Sequence, residues 1–111
     1  MSFDVLQSAP AVFDLDNIIH YIAIRLSNPK AARDLLGEYE DRLTNLRDSP
    51  RLYGPARAKK LAGMGFHQFN FGNYIAFYKI DDEEQKVYIV RIFYQKQDYL
   101  TKITDQSQTP E

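Results

Sequence analysis

The 111-residue chain contains no cysteine and only two histidines, and these absences exclude several kinds of site. Without thiols it forms neither disulfides nor thiolate metal centres, which fits a reducing, cytoplasmic location. His20 and His67 lack the spacing of metal ligands, so we expect no metal and no other cofactor. No apolar run approaches the roughly 20 residues of a membrane span, and we expect neither a signal peptide nor a membrane partner.

Acidic residues are missing from one long stretch, although the net charge of the whole chain is only −1. From Ser49 to Ile80 there are five cations and no acid, and residues 81–84 are then four acids in a row. This asymmetry indicates either a local anion-binding surface or a solvated basic loop. Charge alone does not distinguish the two interpretations.

The N-terminal half has the pattern of two amphipathic helices. After a short predicted strand at residues 2–7, Pro10 opens a helix whose apolar stripe continues to about Leu26. Asn28, followed by proline, is a typical cap for a second helix, which we expect to end near Asp48. So short a connection predicts an antiparallel helical hairpin.

The C-terminal half has the pattern of three strands. They follow a basic loop at residues 51–65, in which one helical turn is predicted over residues 56–61. Alternating apolar and aromatic residues, separated by a Gly-Asn turn and an acidic turn, predict strands at residues 66–71, 74–80 and 86–94.

A single domain is expected over residues 1–104. A short helix is predicted at residues 95–103, and residues 105–111 are expected to be a disordered tail. Because the helices and the strands are segregated along the chain, the predicted class is α+β, with the order β–α–α–β–β–β. The helical hairpin then packs on one face of a mostly antiparallel four-stranded sheet.

Both faces of the predicted sheet carry apolar residues, whereas a helical hairpin covers only one face. Simple alternation places five apolar side chains on the other face: Ile75, Phe77, Val87, Ile89 and Phe93. We favour a partner protein as the cover, because monomers rarely expose large apolar patches. The alternative is that the sheet curls, so that the basic loop or the chain tail covers this face.

The stretch from residue 72 to residue 99 resembles the C-terminal half of the RelE/ParE toxins of type II toxin–antitoxin modules. The residues that carry the resemblance are Gly72, Asn73, Tyr74, Phe77, Tyr78, Arg91, Tyr94 and Asp98. The resemblance covers about residues 2–103 and implies a cognate antitoxin that wraps and neutralises the toxin. It would make the five apolar residues of the second face an antitoxin-binding surface.

The resemblance implies growth inhibition by one of two mechanisms. RelE-like members are mRNA interferases that cleave mRNA on the ribosome, and ParE-like members inhibit DNA gyrase. The fold does not decide between them. Ribosome-dependent mRNA cleavage by a metal-independent endoribonuclease is our first choice, gyrase inhibition is the alternative, and a degenerate member that only binds its antitoxin is a third.

Metal-free RNA cleavage requires a base for the 2′-hydroxyl, an acid for the leaving oxygen and cations for the developing charge. The candidates for these catalytic roles are Arg57, Lys59, Lys60, His67, Arg91 and Tyr94. Candidates for binding RNA or another target are Lys79, Lys96 and Tyr99.

Five of the six catalytic candidates also have a structural interpretation. His67 alternates with two phenylalanines and fits a packed position on a sheet face. Arg91 fits an ion pair with an acid of its own helices, Tyr94 fits a packing role, and the loop lysines fit a solvated loop.

Two positions depart from the pattern of the cleaving relatives. Ile75 stands where many relatives carry arginine, and the preceding strand offers His67, Gln68 and Asn70 in place of another arginine. A single donor that stabilises charge in the transition state is typically worth about 3 kcal/mol of barrier. The departures therefore weaken the nuclease hypothesis and leave room for gyrase inhibition.

Overall fold

The computed structural model describes residues 2–104, whose helices and strands follow the predicted α+β order. The strands are β1 (Asp4–Gln7), β2 (His67–Phe71), β3 (Tyr74–Asp81) and β4 (Lys86–Tyr94). The helices are α1 (Ala9–His20), α2 (Pro29–Asp48), α3 (Lys59–Gly63) and α4 (Tyr99–Thr104). The predicted tail at residues 105–111 lies outside the described residues.

The two long helices begin at side-chain caps. The Ser8 hydroxyl accepts a hydrogen bond from the Ala11 amide at 3.1 Å and donates one to the Val90 carbonyl at 2.7 Å, so this cap also ties α1 to β4. Asn28 caps α2 as predicted, accepting from the Ala31 amide at 3.1 Å. Each helix also has a proline in its first turn, where a backbone N–H would have no acceptor within the helix; proline has no N–H there.

The end of the first helix differs from the prediction. After α1 the chain continues as a π-helical turn, Tyr21–Arg25, and Leu26 then leaves the helix in a non-helical conformation. A π turn spaces its hydrogen bonds one residue wider than an α-helix and so rotates the following side chains. As a result Ile24 and Leu26 are 61 % and 55 % exposed, although the apolar stripe predicted that Leu26 is buried.

The two short helices begin later than predicted, for local reasons. The Ala56 amide donates to the Phe66 carbonyl at 2.9 Å, which keeps this segment extended beside β2 and delays α3 until residue 59. The Gln95 amide donates to the Asn73 carbonyl at 2.9 Å, so the chain turns there before α4 begins. Asp98 then caps α4 by accepting from the Thr101 amide at 3.4 Å.

The four strands form one mixed sheet in the order β1-β4-β3-β2. β1 runs parallel to β4, and the other two pairs are antiparallel. The helical hairpin is thus the crossover that joins two parallel neighbours, β1 and β4, and it lies on one face of the sheet. Within residues 2–104, none of the helices has the length and apolar character that crossing a membrane requires.

A β-bulge in β4 changes which face its side chains occupy. Phe77 lies opposite Arg91 and Tyr78 lies opposite Ile89, so Val90 is an extra residue in the strand. An extra residue breaks the two-residue alternation of side chains. Val87 and Ile89 therefore face the helical hairpin, and the prediction that they share a face with the rest of the five apolar residues is wrong.

The main core lies between the helical hairpin and the sheet. It contains Ala11, Leu15, Leu35, Tyr39, Leu43, Leu46, Phe69, Phe71, Ala76, Tyr78, Val87, Ile89 and Ile92. Tyr39 is only 1 % exposed, and its hydroxyl donates to the Gln7 side chain at 2.8 Å. Burial raises the pKa of the Tyr39 phenol, so the phenol is neutral and can donate this hydrogen bond to Gln7.

A smaller core fills the second face of the sheet. Its buried members are Ala56, Leu61, Phe66, Ile75, Phe77 and Phe93, and α3 and α4 cover them. The Tyr99 ring of α4 lies 5.1 Å from the Phe77 ring and 6.3 Å from the Phe93 ring, measured between centroids. The basic loop and the chain end therefore cover the second face, and the premise that its apolar residues are exposed is wrong.

The Gly72 turn between β2 and β3 is the clearest point at which a single methyl group destabilises this fold. Gly72 has φ +55°, and a Cβ there would lie 2.6 Å from Leu35 Cδ1. We expect Gly72→Ala to lower the free energy of unfolding by about 1–2 kcal/mol from the backbone alone, and further through displacement of Leu35.

Gly37 in the interior of α2 is the matched control, because nothing lies within 4 Å of its added Cβ. Gly37→Ala is expected to raise the free energy of unfolding by up to about 1 kcal/mol. Urea unfolding of both variants measures the difference, and equal stabilities would contradict the assignment of Gly72.

Candidate functional site

The structure distributes the six predicted catalytic residues over three places. Arg57, Lys59 and Lys60 lie in the loop and in α3, beside the smaller core. His67 begins β2, and Arg91 and Tyr94 lie near the end of β4. Arg91 and Tyr94 line the same cleft.

Arg91 is held in a bidentate ion pair by Asp14 of α1. The distances are 2.8 Å from Nε to Oδ2 and 3.1 Å from Nη2 to Oδ1, and Oδ2 also accepts from the Ile92 amide at 2.9 Å. The Asp14 side chain is 12 % exposed and that of Arg91 is 31 % exposed, so the pair is largely shielded from water. The geometry thus matches the structural interpretation of Arg91, in which it forms an ion pair with an acid of the helical hairpin.

A cleft of about 210 Å³ lies beside this pair, between α1 and the sheet. It is lined by Asp14, Asn17, Ile18, Tyr74, Arg91, Ile92, Phe93, Tyr94 and Gln97. The Tyr74 and Tyr94 rings meet edge to face at 5.7 Å. Burial, and secondarily the neighbouring phenols, raise the pKa of Tyr74, so this tyrosine is a hydrogen-bond donor and not a base at neutral pH.

His67 packs on the face of the sheet that carries the main core. Its ring stacks on Tyr78 at 5.4 Å with an interplanar angle of 24°, and its Nδ1 atom is buried without a partner among residues 2–104. Tyr78 in turn donates to the Pro50 carbonyl at 3.1 Å, and burial raises its pKa. His67 is therefore part of an aromatic stack on the main-core face of the sheet, opposite the face that α3 covers.

Four cations form what we call the basic patch: Arg57, Lys59, Lys60 and Lys79. None of them makes an ion pair among residues 2–104. Lys79 Nζ lies 4.5 Å from the centre of the Phe66 ring, on the side of the sheet that α3 covers. The patch is thus positive charge, uncompensated within the described residues, on the basic loop, α3 and β3.

Arg51, the remaining cation of the acid-free stretch, is neutralised. Its guanidinium donates to both carboxylate oxygens of Asp82, at 3.0 and 2.7 Å. The hydrogen bonds from Arg51 lower the pKa of Asp82, and those to Asp82 raise the pKa of Arg51. Arg51 therefore does not belong to the basic patch.

The remaining predicted target-binding residues lie near the end of the described chain. Lys96 is exposed in the turn after β4. Tyr99 is half-buried against Phe77 and Phe93, so it contributes to the smaller core. Among the residues that the structure describes, no three His, Cys, Asp or Glu side chains come together in a way that could hold a metal ion.

A second cleft, of about 170 Å³, opens at the outer edge of β2, and we call it the β2-edge cleft. It is lined by Tyr53, Pro55, Arg57, Gln68, Phe69 and Asn70. Gln68 is only 6 % exposed; its Oε1 accepts from the Arg57 amide at 3.0 Å, and its Nε2 donates to Asn70 Oδ1 at 3.3 Å. Sequence reasoning noted both amides only as replacements for arginine and did not predict that they bond to each other.

Asp14 was missed altogether by the sequence analysis. It lies two residues before Asp16 on a helix that carries several polar side chains, and nothing in its local pattern distinguishes the two acids. Its contact with Arg91 spans 77 residues, and no local pattern marks a contact of that separation.

Comparisons with known proteins place this arrangement in a family. The family model of the ParE toxin of type II toxin–antitoxin systems, parDE, matches residues 5–99. Because the match spans most of the chain, the chain belongs to the ParE toxin family, and the predicted RelE/ParE resemblance is confirmed. A search of the curated proteins gives no significant match.

Three solved structures share the fold. The RelBE2 toxin–antitoxin complex from Mycobacterium tuberculosis is 23 % identical, with a TM-score of 0.58, 85 % of this chain covered and 99 % of that chain. The chromosomal ParDE system from P. aeruginosa is 18 % identical, with a TM-score of 0.63 and coverages of 83 % and 95 %. A mutant of the E. coli toxin RelE in the free state is 11 % identical, with a TM-score of 0.64 and coverages of 98 % and 100 %. At these identities the likeness establishes the fold.

We expect Asp14→Ala to lower the free energy of unfolding by about 2–3 kcal/mol, because it leaves a half-buried guanidinium and the Ile92 amide without their acceptor. Asp34→Ala is the control: Asp34 pairs with Lys30 at 2.8 Å, but both side chains are more than half exposed. Such a surface pair is worth about 0.3–0.5 kcal/mol. Denaturant unfolding of both variants makes the comparison, and similar losses would refute a structural role for the Asp14–Arg91 pair.

Proposed function

We propose that this toxin inhibits growth by binding DNA gyrase, and not by cleaving mRNA. The observation that carries the proposal is the dispersal of the predicted catalytic residues, together with the pairing of Arg91 to Asp14. A cleavage site must bring its base, acid and cations within hydrogen-bond reach of one phosphate. An inhibitor that acts by binding has no such requirement.

The chemistry around the basic patch supports the same conclusion. Arg57, Lys59 and Lys60 supply positive charge, but the residues that line the adjoining β2-edge cleft include no imidazole and no carboxylate. The histidine of the candidate set is stacked on Tyr78, on the main-core side of the sheet. No group of the candidate set is therefore placed beside the patch to take the proton of a 2′-hydroxyl.

The exposed apolar residues of the helical hairpin favour a protein target. Phe13 is 66 % exposed, Tyr21 48 % and Ile24 61 %. Phe13 lies in α1, and Tyr21 and Ile24 lie in the π turn that follows it. Large apolar side chains that are exposed near one another favour a surface that binds another protein.

mRNA cleavage is the second candidate function, and the basic patch is the observation that favours it. The four cations of the basic patch make no ion pair among residues 2–104, and such a surface suits the phosphates of RNA as well as an acidic protein surface. The two mechanisms leave different products in the cell, so one experiment distinguishes them.

We also propose a cognate antitoxin as partner, because two of the similar structures are a RelBE2 complex and a ParDE system. Ile75, Phe77 and Phe93 lie beneath Tyr99 of α4, so an antitoxin segment reaches them when it displaces that helix. Val87 and Ile89 lie in the main core beneath the helical hairpin. The proposed antitoxin surface therefore keeps Ile75, Phe77 and Phe93 of the predicted five.

Induced expression of the toxin without its antitoxin tests the mechanism. We expect loss of plasmid supercoiling or gyrase-linked DNA breaks, with intact transcripts, and inhibition of supercoiling by purified gyrase in vitro. Transcripts broken in phase with the ribosome, together with normal plasmid topology, would overturn gyrase inhibition and establish the second candidate.

The basic patch is expected to contribute to target binding by electrostatic attraction. Lys59→Ala combined with Lys60→Ala should raise the toxin concentration needed for half-inhibition of supercoiling by about tenfold, with the effect shrinking at high salt. The control is Lys30→Ala combined with Arg33→Ala, which removes the same charge from the exposed start of α2. Circular dichroism checks the fold of both variants, and equal potency would exclude the patch from the binding surface.

A further inference from the structure

Gln68 is, among residues 2–104, the one buried residue whose side chain ends in an amide or a charge, and it is only 6 % exposed. Its Oε1 accepts from the backbone amide of Arg57 at 3.0 Å, and its Nε2 donates to Asn70 Oδ1 at 3.3 Å. Because a backbone amide can only donate, the Gln68 oxygen must face Arg57 and the Gln68 nitrogen must face Asn70. The side chain therefore joins the basic loop to β2 in one fixed orientation.

The bond to Arg57 lies just before the two lysines of the basic patch, Lys59 and Lys60, which are the first residues of α3. Ala58 precedes them and supplies no side-chain cap to the helix. α3 has only five residues, of which Leu61 is buried. A helix this short is not stable by itself. The positions of the two lysines therefore depend on the contacts that hold α3 and the loop before it.

The other end of this connection is anchored on the helical hairpin. The Asn70 carbonyl accepts from Arg42 Nε of α2 at 3.2 Å, and Arg42 Nη2 pairs with Glu38 at 3.2 Å. Glu38 in turn accepts from the Gly72 amide at 2.8 Å. The residue to which Gln68 donates is thus itself held by α2. Hydrogen bonds therefore connect α2, through Asn70 and Gln68, to the basic loop.

We propose that Gln68 is a positioning residue for the basic patch: its bond to Arg57 holds the loop so that Lys59 and Lys60 are presented to the target in one arrangement. This inference rests on the proposed function, in which the patch contributes to target binding. An apolar side chain of similar length would fill the same space and would leave no polar group to satisfy. What the amide adds is therefore the orientation of the loop. Charges that are already in place need not be ordered when the target binds, so a fixed patch binds more tightly than a loose patch of the same charge.

A double-mutant cycle tests whether Gln68 acts through the two lysines. Gln68→Met keeps the length of the side chain and removes both hydrogen bonds. We expect it to raise the toxin concentration for half-inhibition of gyrase supercoiling about fivefold, because the patch must then be ordered on binding. In the background of Lys59→Ala with Lys60→Ala, the same change should have no further effect, because residues that act through one another are not additive. Equal fold-changes in both backgrounds would overturn the proposal.

Amide hydrogen exchange of the purified toxin measures the loop directly and needs no target. We expect Gln68→Met to speed exchange of the Arg57 amide about tenfold, as for the loss of one hydrogen bond that opposes local opening. Tyr39→Phe is the matched control, because it removes a buried hydrogen bond to Gln7 on the other face of the sheet. It should leave both the Arg57 amide and the potency unchanged. An unchanged Arg57 amide in Gln68→Met, or equal effects of the two variants on potency, would reduce Gln68 to a purely structural role.

The two measurements separate the positioning role from gyrase inhibition. If the wild-type toxin leaves gyrase active while Gln68→Met exposes the Arg57 amide, gyrase inhibition is wrong, and the cycle is then decided with growth inhibition as the measure of potency. If Gln68→Met does not fold, Asn70→Ala takes its place, since it removes only the acceptor of Gln68 Nε2. Smaller changes in the same direction are expected from Asn70→Ala, and no change in either measurement would contradict the positioning role.

Discussion

The carboxylate of Asp14 accepts three hydrogen bonds from β4 and so holds α1 against the sheet at the β-bulge. The bulge would otherwise leave the Ile92 amide and the Arg91 guanidinium poorly paired in a largely apolar region. Beyond this point the strand presents Ile92 to the main core and Phe93 to the smaller one. The Asp14 contact therefore anchors α1 at the point where consecutive residues of β4 enter the two cores on opposite faces of the sheet.

Local patterns predicted the elements of this fold well, because they depend on neighbours in the chain. Asn28 before proline marks the start of α2, and the predicted range of β4, residues 86–94, is the observed one. Contacts between distant residues were not predictable in this way. Val87 and Ile89 were assigned to the wrong face, since one extra residue inverts the alternation and no local pattern marks it.

In the candidate site, too, the sequence predicted local features and did not predict contacts between distant residues. The sequence identified the cations of the basic patch, because charge and the absence of acids are visible without coordinates. It left open whether Arg91 is catalytic or paired, since the answer depends on Asp14, 77 residues away. It also noted Gln68 and Asn70 only as substitutes for arginine, whereas the structure joins them into one hydrogen-bonded chain with the loop.

The parallel pairing of β1 with β4 has a consequence for the order in which the chain is made. The Ser8 hydroxyl donates to the Val90 carbonyl, 82 residues later in the chain, and β1 pairs only with β4 among the described strands. β1 therefore has no pairing partner until β4 has been synthesised. During synthesis the N-terminal segment and the helical hairpin emerge without their sheet partner, and pairings of such large sequence separation form late. The cover supplied by α4 emerges later still. The sheet of this toxin is therefore incomplete on the ribosome until nearly all of the described chain has emerged. Until α4 covers the second face, the apolar residues of β3 and β4 are accessible to another protein.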